Sequence, residues 1–558
     1  MDSLTKNVII CCVGLGLVNA ANSAETLYNG IVLPEQWPPK IEKDAIERGD
    51  VMPVPYLENP PDVISIDVGR QLFVDDFLVE TTDLKRTFHV AEYYADNPVV
   101  APDRRWEKPG NQPTAMAFSD GVWYDPKDKV FKMWYMSGYM ATTSLAISED
   151  GIHWTKPKYD VMPGTNVVCL SGHRDSAVVW LDHEATDPKR RYQMFQFHRD
   201  PWRAAIHLSE DGIHWDLATW CGESGDRSSI FYNPFRKLWV YSIRTILNPG
   251  TDKWCRCRLY WECEDLVSGA DWEGGYRGGG TGGPGAPVMW VGADRLDSTG
   301  PNVSEDFKAE LYHLDTIAYE SMFLGLFSIW HQGSHEGRPK INDVLVGFSR
   351  DGFHWHRPFR QAVLPVAQDS DAWNWSNVQS VGGCCLVVGD KLYLYASGRK
   401  SQANSTGLAF MRRDGFASMD SEQTDGVLTT RPVVFKGKYL FVNADAEEGE
   451  LRVEVLGKDG KLIEPFTSEN CEPIQTDKTL QRVNWQGASD LSAVAEKPVK
   501  FRFHLSNGRL YSFWVTPDES AASNGYVAAG GPGFTGSKDT VGAAAYQAAE
   551  DVAPKGTN

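Results

Sequence analysis

The sequence predicts an all-β protein, a five-bladed β-propeller followed by a C-terminal β-sandwich, and three observations predict it. Long helical periodicity is nearly absent, while the aromatic residues, 20 Trp among them, fall mostly in short strand-like runs. A strand–turn–strand unit recurs: Ser119 to Tyr135, Gly172 to Phe195, Gly225 to Ser242, Leu314 to Trp330 and, more loosely, Asn377 to Ser397. A second motif interleaves with it, reading Ser-Glu-Asp-Gly-Ile-His-Trp at Ser148 and again at Ser209, and Ser-Arg-Asp-Gly-Phe-His-Trp at Ser349. Degenerate copies at Cys263–Trp272 and Arg412–Met419 fill the gaps. Together the two repeats count five blades.

In chain order, residues 1–24 carry Lys6, an apolar run from Val8 to Val18 and small residues from Ala20 to Ala24, as a secretory signal peptide does. The run is too short to span a bilayer, and no other stretch is apolar enough to do so. The mature protein is expected to be exported, periplasmic or extracellular. Residues 25–64, rich in Pro and charge, read as an extended lead-in. From Ile66 the run IDVGRQLFVDDFLVE has strand character and is expected to close the ring against the last blade. Residues 65–424 make the propeller. Between its third and fourth blades lies a Gly-rich insertion, Gly274 to Gly285, without the Gly-Lys-Ser/Thr ending of a phosphate loop, so it reads as a rim loop. Residues 425–518 change to short alternating strands such as LRVEVLG and VKFRFHL, the pattern of a β-sandwich. The Ala/Gly/Ser-rich tail, 519–558, is expected to stay disordered.

Composition excludes several classes of function. A net charge of −19 leaves no basic face for nucleic acid. Eight cysteines lie beyond the signal segment (Cys169, Cys221, Cys255, Cys257, Cys263, Cys384, Cys385 and Cys471), too few for a disulfide framework in so long a chain, though one or two bridges would fit. Cys255, Cys257 and Cys263 lack a His or a second Cys pair at zinc-site spacing and read as buried strand residues, so no metal is assigned. A structural Ca²⁺ among the carboxylates would have no loop signature. No redox or nucleotide cofactor is implied.

The chemistry is expected where the blades' inner strands meet. The Asp of each Asp-Gly motif (Asp150, Asp211, Asp351) reads as a turn former, with the Trp plugging the space between blades. In contrast, an Asp stands at the first strand of four blades: Asp120, Asp175, Asp226 and Asp315. Ring closure would gather them into a funnel of carboxylates, an arrangement that is costly unless counter-charges or function compensate. Glycoside hydrolysis uses such a set, one carboxylate attacking or activating water and another, kept protonated, protonating the leaving oxygen.

These motifs resemble those of the five-bladed propeller glycosidases of glycoside hydrolase families 32, 43 and 68, with a C-terminal sandwich as in family 32. The resemblance covers about residues 66 to 515, at the level of architecture and short motifs. It implies that Ser119-Asp120-Gly121 holds the nucleophile, Asp120, and that Arg174-Asp175-Ser176, in place of an Arg-Asp-Pro motif, holds the transition-state stabiliser, Asp175. The family's acid/base is a Glu in a Glu-Cys pair. Here Glu262-Cys263 falls in the slot of the outer Asp-Gly repeat, so Glu262 should point away from the funnel. The in-register acid is Asp226, with Glu223 second and Glu320 a weaker option.

Around this set, the second strands end in His198-Arg199, Arg244, His331 and Arg399. With Arg174 and Arg227 they supply either charge balance or recognition of an acidic sugar carrying carboxylate or sulfate. Trp373 and Trp375 are candidates for stacking on a sugar face or for filling the gap between blades. The expected function is hydrolysis of a terminal glycosidic bond by Asp120, Asp175 and Asp226, with Arg174, Arg227, Glu223, Asp315, Glu320, His331, Arg399 and Trp375 around the substrate. A lyase acting on an acidic glycan, or a carbohydrate-binding propeller without catalysis, are the alternatives.

Overall fold

The computed structural model describes residues 24–553 apart from 171, 252–253, 276–284, 300–307, 333–337, 339, 376, 401–402 and 423–424. The segment up to residue 23, read above as a signal peptide, and most of the Gly-rich insertion lie outside the described residues. The chain is mostly β, with seven sheets among the described residues. Five follow one another in sequence. The first pairs Thr142–Ser148 with Val130–Ser137, which also receives both Ala115–Met116 and Val122–Asp125. The second runs Arg174–Leu181, Tyr192–Arg199, Trp202–Ser209, Asp216–Trp220, and the third Ser229–Asn233, Leu238–Leu247, Cys255–Cys263, Val288–Gly292. The fourth centres on Glu310–Glu320, Met322–Trp330 and Asn342–Ser349, and the fifth on Asn377–Val381, Lys391–Lys400 and Ala403–Arg412.

Strand sequence and burial agree. Met322–Trp330 (MFLGLFSIW) is apolar almost throughout and buried on both faces, as a strand between two sheets must be. Val499–Ser506 (VKFRFHLS) alternates, so only one face is buried.

The interleaved repeats join each sheet to the one before it. Trp134 Nε1 of the first sheet donates to the Gly212 carbonyl in the turn of the second (2.8 Å). Arg190 of the second reaches Asp265 in the third. Trp290 Nε1 of the third donates to Phe353 O in the fourth (2.7 Å), and Tyr319 OH of the fourth to Asp414 beyond the fifth (2.6 Å). Tyr395 OH of the fifth donates to Gly151 O in the turn of the first, which completes the circuit. Asp150, Asp211 and Asp351 are turn formers: each accepts from the backbone N–H groups two and three residues on and from the ring of the following His.

The two remaining sheets have six strands each and enclose a separate apolar core that includes Phe73, Phe77, Val442, Val453, Phe501, Phe503 and Phe513. Four expectations are corrected here. The run 66–80 does not close the ring: Gln71–Leu72 pairs with Gly508–Thr516 and Val79–Thr82 with Gly426–Thr430 in the six-stranded sheets, while Glu92–Tyr93 is the strand that adds to the fifth sheet. The boundary at residue 424 moves forward, because Ala417–Ser421 pairs with Lys85–Phe88 and Gly508–Thr516. The lead-in holds two short helices, Lys43–Arg48 and Pro55–Glu58, and buries Leu27, Ile31, Leu33 and Tyr56.

The tail is ordered. Tyr526–Val527 pairs with Glu310–Glu320, Ala529 N–H donates to Cys385 O (3.1 Å), and the helix Ala543–Val552 buries Ala545 and Ala549. Its small residues allow close backbone approach: a Cβ on Gly531 would lie 1.8 Å from Val387 O. All eight described cysteines are free thiols. No helix among the described residues is long and apolar enough to cross a membrane.

Candidate functional site

The inner strands are joined by a second circuit of hydrogen bonds. Val179 N donates to Asp120 O (2.7 Å), Arg227 N to Ser176 Oγ (2.9 Å), Ser229 Oγ to Leu314 O (2.6 Å), Val381 N to Asp315 Oδ2 (2.9 Å) and Val122 N to Gly382 O (3.4 Å). This brings the four expected aspartates together, but on two levels. Asp175 is the second residue of its strand and Asp226 precedes the next, whereas Asp315 lies in the middle of Glu310–Glu320 and Asp120 sits opposite Val179, four residues beyond Asp175.

The lower level is sealed. Asp120 is 0 % exposed, and both its oxygens accept from the Arg174 guanidinium, whose Nη1 also donates to Thr143 Oγ1 (2.8 Å). Burial pushes the Asp120 carboxyl up in pKa, against the pull of Arg174. Asp315 meets the Val381 N–H and His313 Nε2 (3.1 Å), and that same nitrogen faces Ser119 Oγ (2.5 Å). Burial lowers the His313 pKa despite Asp315. Asp120 therefore fixes Arg174 beneath the site and is closed to solvent, not at the open position its expected role as nucleophile requires. Arg174 is wholly buried as well.

The upper level is open. Arg199 Nε donates to Asp175 (3.0 Å), and its Nη2 reaches Asp226 at 3.4 Å, so one guanidinium ties two sheets. Arg244 pairs with the other oxygen of Asp226. The Asp226 side chain is 17 % exposed and that of Arg199 36 %, against 3 % for Asp175. Burial alone would raise the Asp175 pKa, but Arg227 and Arg199 outweigh it and hold the carboxyl below its usual range. Trp202, 42 % exposed, lies with its ring 5.5 Å from the Arg199 guanidinium and offers an apolar face at the rim.

Arg227 is held most firmly. Its backbone is left-handed, φ 68°, a conformation that costs a non-glycine residue about 1 kcal/mol. Ser176 Oγ holds its N–H, while its carbonyl accepts from Arg258 Nη1 and faces His313 Nδ1 (2.9 Å). The guanidinium stacks on Phe118, 3.9 Å from the ring centre, and reaches Asp175 at 3.5 Å. Arg399 approaches the same Phe118 ring from 5.7 Å and Tyr139 from 5.5 Å.

Other expected residues lie elsewhere. Glu223 is exposed on the strand approach to Asp226, its carbonyl accepting from Trp272 Nε1 (2.9 Å). Glu320 is at the far end of its strand, buried against Arg70, Arg413 and Ser523 and away from Asp175 and Asp226. His331 is taken up by Asp343 (2.7 Å) and the Ser298 carbonyl (2.7 Å). Trp375 stacks with Arg338 at 5.6 Å, and Trp373 fills the hollow over Gly398 and Gly407, where a Cβ would touch its ring. Glu262 accepts from Trp37, Tyr260 and Arg236, apart from Asp175 and Asp226.

Two residues of the site carried no sequence signal that reached it. Tyr312 lies two residues before the start of the fourth repeat as spelled out in sequence, in the run Tyr-His-Leu-Asp, whose alternation with Asp315 could have extended that strand backwards. Lys340 stands outside any repeat. Lys340 Nζ lies 3.5 Å from the Tyr312 ring centre and the Arg227 guanidinium 5.7 Å from it. Burial would raise the phenol, but Arg227, Lys340 and Arg399 bring it down to about 7. Burial lowers the Lys340 ammonium to about 8.

No protein-family model matches the chain, and no curated protein matches it. Among solved structures it is similar to an N-acetylgalactosamine deacetylase from F. plautii (12 % identity over 58 % of this chain and 94 % of that one, TM-score 0.38). It is similar to a putative glycoside hydrolase from Bacteroides ovatus (12 %, 60 % and 99 %, TM-score 0.40) and to a β-1,2-mannobiose phosphorylase from Listeria innocua (14 %, 58 % and 96 %, TM-score 0.36). At these values the activities belong to those proteins alone.

Proposed function

We propose that the five sequential sheets are the blades of a five-bladed β-propeller, that the six-stranded pair is a β-sandwich, and that the protein is an exported glycoside hydrolase cleaving a terminal glycosidic bond at the propeller mouth. Both circuits of hydrogen bonds, each returning from the fifth sheet to the first, support the ring. The observation that carries the activity is the convergence of Asp175 and Asp226, from two sheets, on the solvent-reaching Arg199.

In this reading Asp226, the more exposed carboxylate, faces the anomeric carbon and either attacks it or activates water. Asp175, kept ionised by Arg227 and Arg199, steadies the positive charge that develops on the sugar ring. Glu223, exposed three residues ahead of Asp226, delivers the proton to the leaving oxygen.

The test is release of reducing sugar or aglycone from a broad panel of oligosaccharides and aryl glycosides. Asp226→Asn and Asp175→Asn are expected to lose about 10²–10⁴ of the rate while remaining folded by circular dichroism. Saturable binding without turnover of any member would leave a binding propeller instead. An unsaturated, ultraviolet-absorbing product would make the protein a lyase.

A further inference from the structure

The upper level of the site carries more positive charge than its own carboxylates neutralise. Arg227, Lys340 and Arg399 come from three different sheets or their connections and meet around Tyr312 and Phe118. Asp175 is the carboxylate that reaches this group, and it is shared with Arg199. Among the described residues neither Lys340 nor Arg399 has a carboxylate partner; the neighbour of Arg399 is the neutral Gln379 amide.

Arg227 adds an independent observation. Its side chain is 4 % exposed, yet Nε and Nη1 have no hydrogen-bond partner. Two buried, unpaired donors on a charged group are costly, and such a cost is relieved when a ligand accepts from them. The strained backbone at Arg227 is held by Ser176, Arg258 and His313, so the guanidinium is fixed before any ligand arrives.

We propose that Arg227, Lys340 and Arg399, gathered around Tyr312, form an oxyanion subsite of the candidate active site. The proposal rests on the reading of the mouth as a saccharide site and names the class of saccharide: one bearing an oxyanion. The guanidinium forks suit the planar or tetrahedral oxygens of a carboxylate, sulfate or phosphate, and the lysine adds a point charge. The oxyanion is either a substituent of the sugar itself, a uronate carboxylate or a sulfate ester, or free inorganic phosphate bound beside a neutral sugar. The low phenol and ammonium values of Tyr312 and Lys340 fit a site short of negative charge: the phenol gives up its proton to supply what is missing. Binding an oxyanion should restore that proton and raise both groups.

The experiment is isothermal titration of the full chain with glucuronate, glucose 6-sulfate, glucose, and inorganic phosphate with and without glucose. Tyrosinate absorbance followed against pH, with and without ligand, is the second readout. At least one oxyanion is expected to bind ten-fold or more tighter than glucose, and to move one tyrosine's titration upward. Lys340→Met and Arg399→Met, both at partly exposed positions, should each weaken that binding about ten-fold, as loss of one charge-assisted hydrogen bond does. Preference for glucuronate or glucose 6-sulfate places the charge on the sugar; phosphate binding that glucose strengthens places it on a separate ion. Equal binding of glucose and every oxyanion, or full affinity in both variants, overturns the subsite. Turnover of neutral glycosides with no oxyanion preference would remove the subsite and keep the hydrolase. Oxyanion binding without turnover of any glycoside would do the reverse.

Discussion

The two ends of the inner strands carry the same chemistry with opposite outcomes. At the end facing the six-stranded sheets, Arg70 and Arg413 meet Glu320, Asp414 and Asp539, at 3.1 to 3.5 Å. All five are sealed, and Ser512, Ser523 and Tyr319 take further carboxylate lone pairs. At the opposite end, Arg199, Arg227 and Arg244 pair with Asp175 and Asp226, while Lys340 and Arg399 stand against Tyr312 and Phe118. One end has acids to spare and no access; the other has cations to spare and reaches solvent. An arginine–carboxylate cluster closed to water acts as a fastening, whereas one with surplus cations at a solvent-reaching edge is a candidate for binding.

The comparison breaks most visibly at the buried end. Arg70→Met strands the carboxylates of Glu320 and Asp414, and should cost about 3–5 kcal/mol in urea denaturation. A loss below about 1 kcal/mol would mean that this cluster is not the fastening it looks to be. The acid side adds a sign. The Asp414 and Asp539 carboxyls are buried, which would raise them, but Arg70 and Arg413 hold both below the ordinary value of 3.8. Their contribution is whole above about pH 4 and is lost as pH falls through the lower, folded values.

At the mouth the dependence runs through a higher window. Tyr312 titrates near 7 in the folded chain and near 10 unfolded, and Lys340 near 8 against 10.5. Between those values the unfolded chain binds more protons, so stability should rise with pH from about 7 towards 10. Tyr312→Phe should flatten that rise in denaturation curves taken across the window; an unchanged slope would remove Tyr312 from the cationic cluster.

The smallest effect separates copies of one motif. Asp351 and His354 are buried, whereas His153 beside Asp150 is exposed. Asp351→Ala leaves the Phe353 and His354 N–H groups without water and should cost about 1–3 kcal/mol. Asp150→Ala, with water at hand, should cost about 1 kcal/mol or less. Equal costs would show that the turn itself, and not its burial, sets the energy.

Much of this was readable in the chain before any coordinates. The aromatic strand pairs, the Asp-Gly turns and the order of five sheets follow from local patterns, since strand propensity, turn chemistry and period-2 burial are written within a few residues. The placing of an aspartate at the first strand of four of the five sheets was also legible. Its level was not: Asp120 and Asp175 differ by the register of Val179 on Asp120, which no local pattern states. The tail misled through composition. Its Ala and Gly residues, which read as disorder, are what lets backbone pack on backbone beside Val387 and Cys385.

By itself, then, the sequence determined the β class, the repeat and the residue types at the inner edges, because each depends on neighbours along the chain. Tertiary structure alone decided that Asp120 is shut in, that Glu92–Tyr93 rather than the 66–80 run joins the fifth sheet, and that Tyr312 and Lys340 belong beside Arg227. Exposure, pairing and charge surplus are set by which distant strands pack together, and those contacts have no spacing in the chain to betray them.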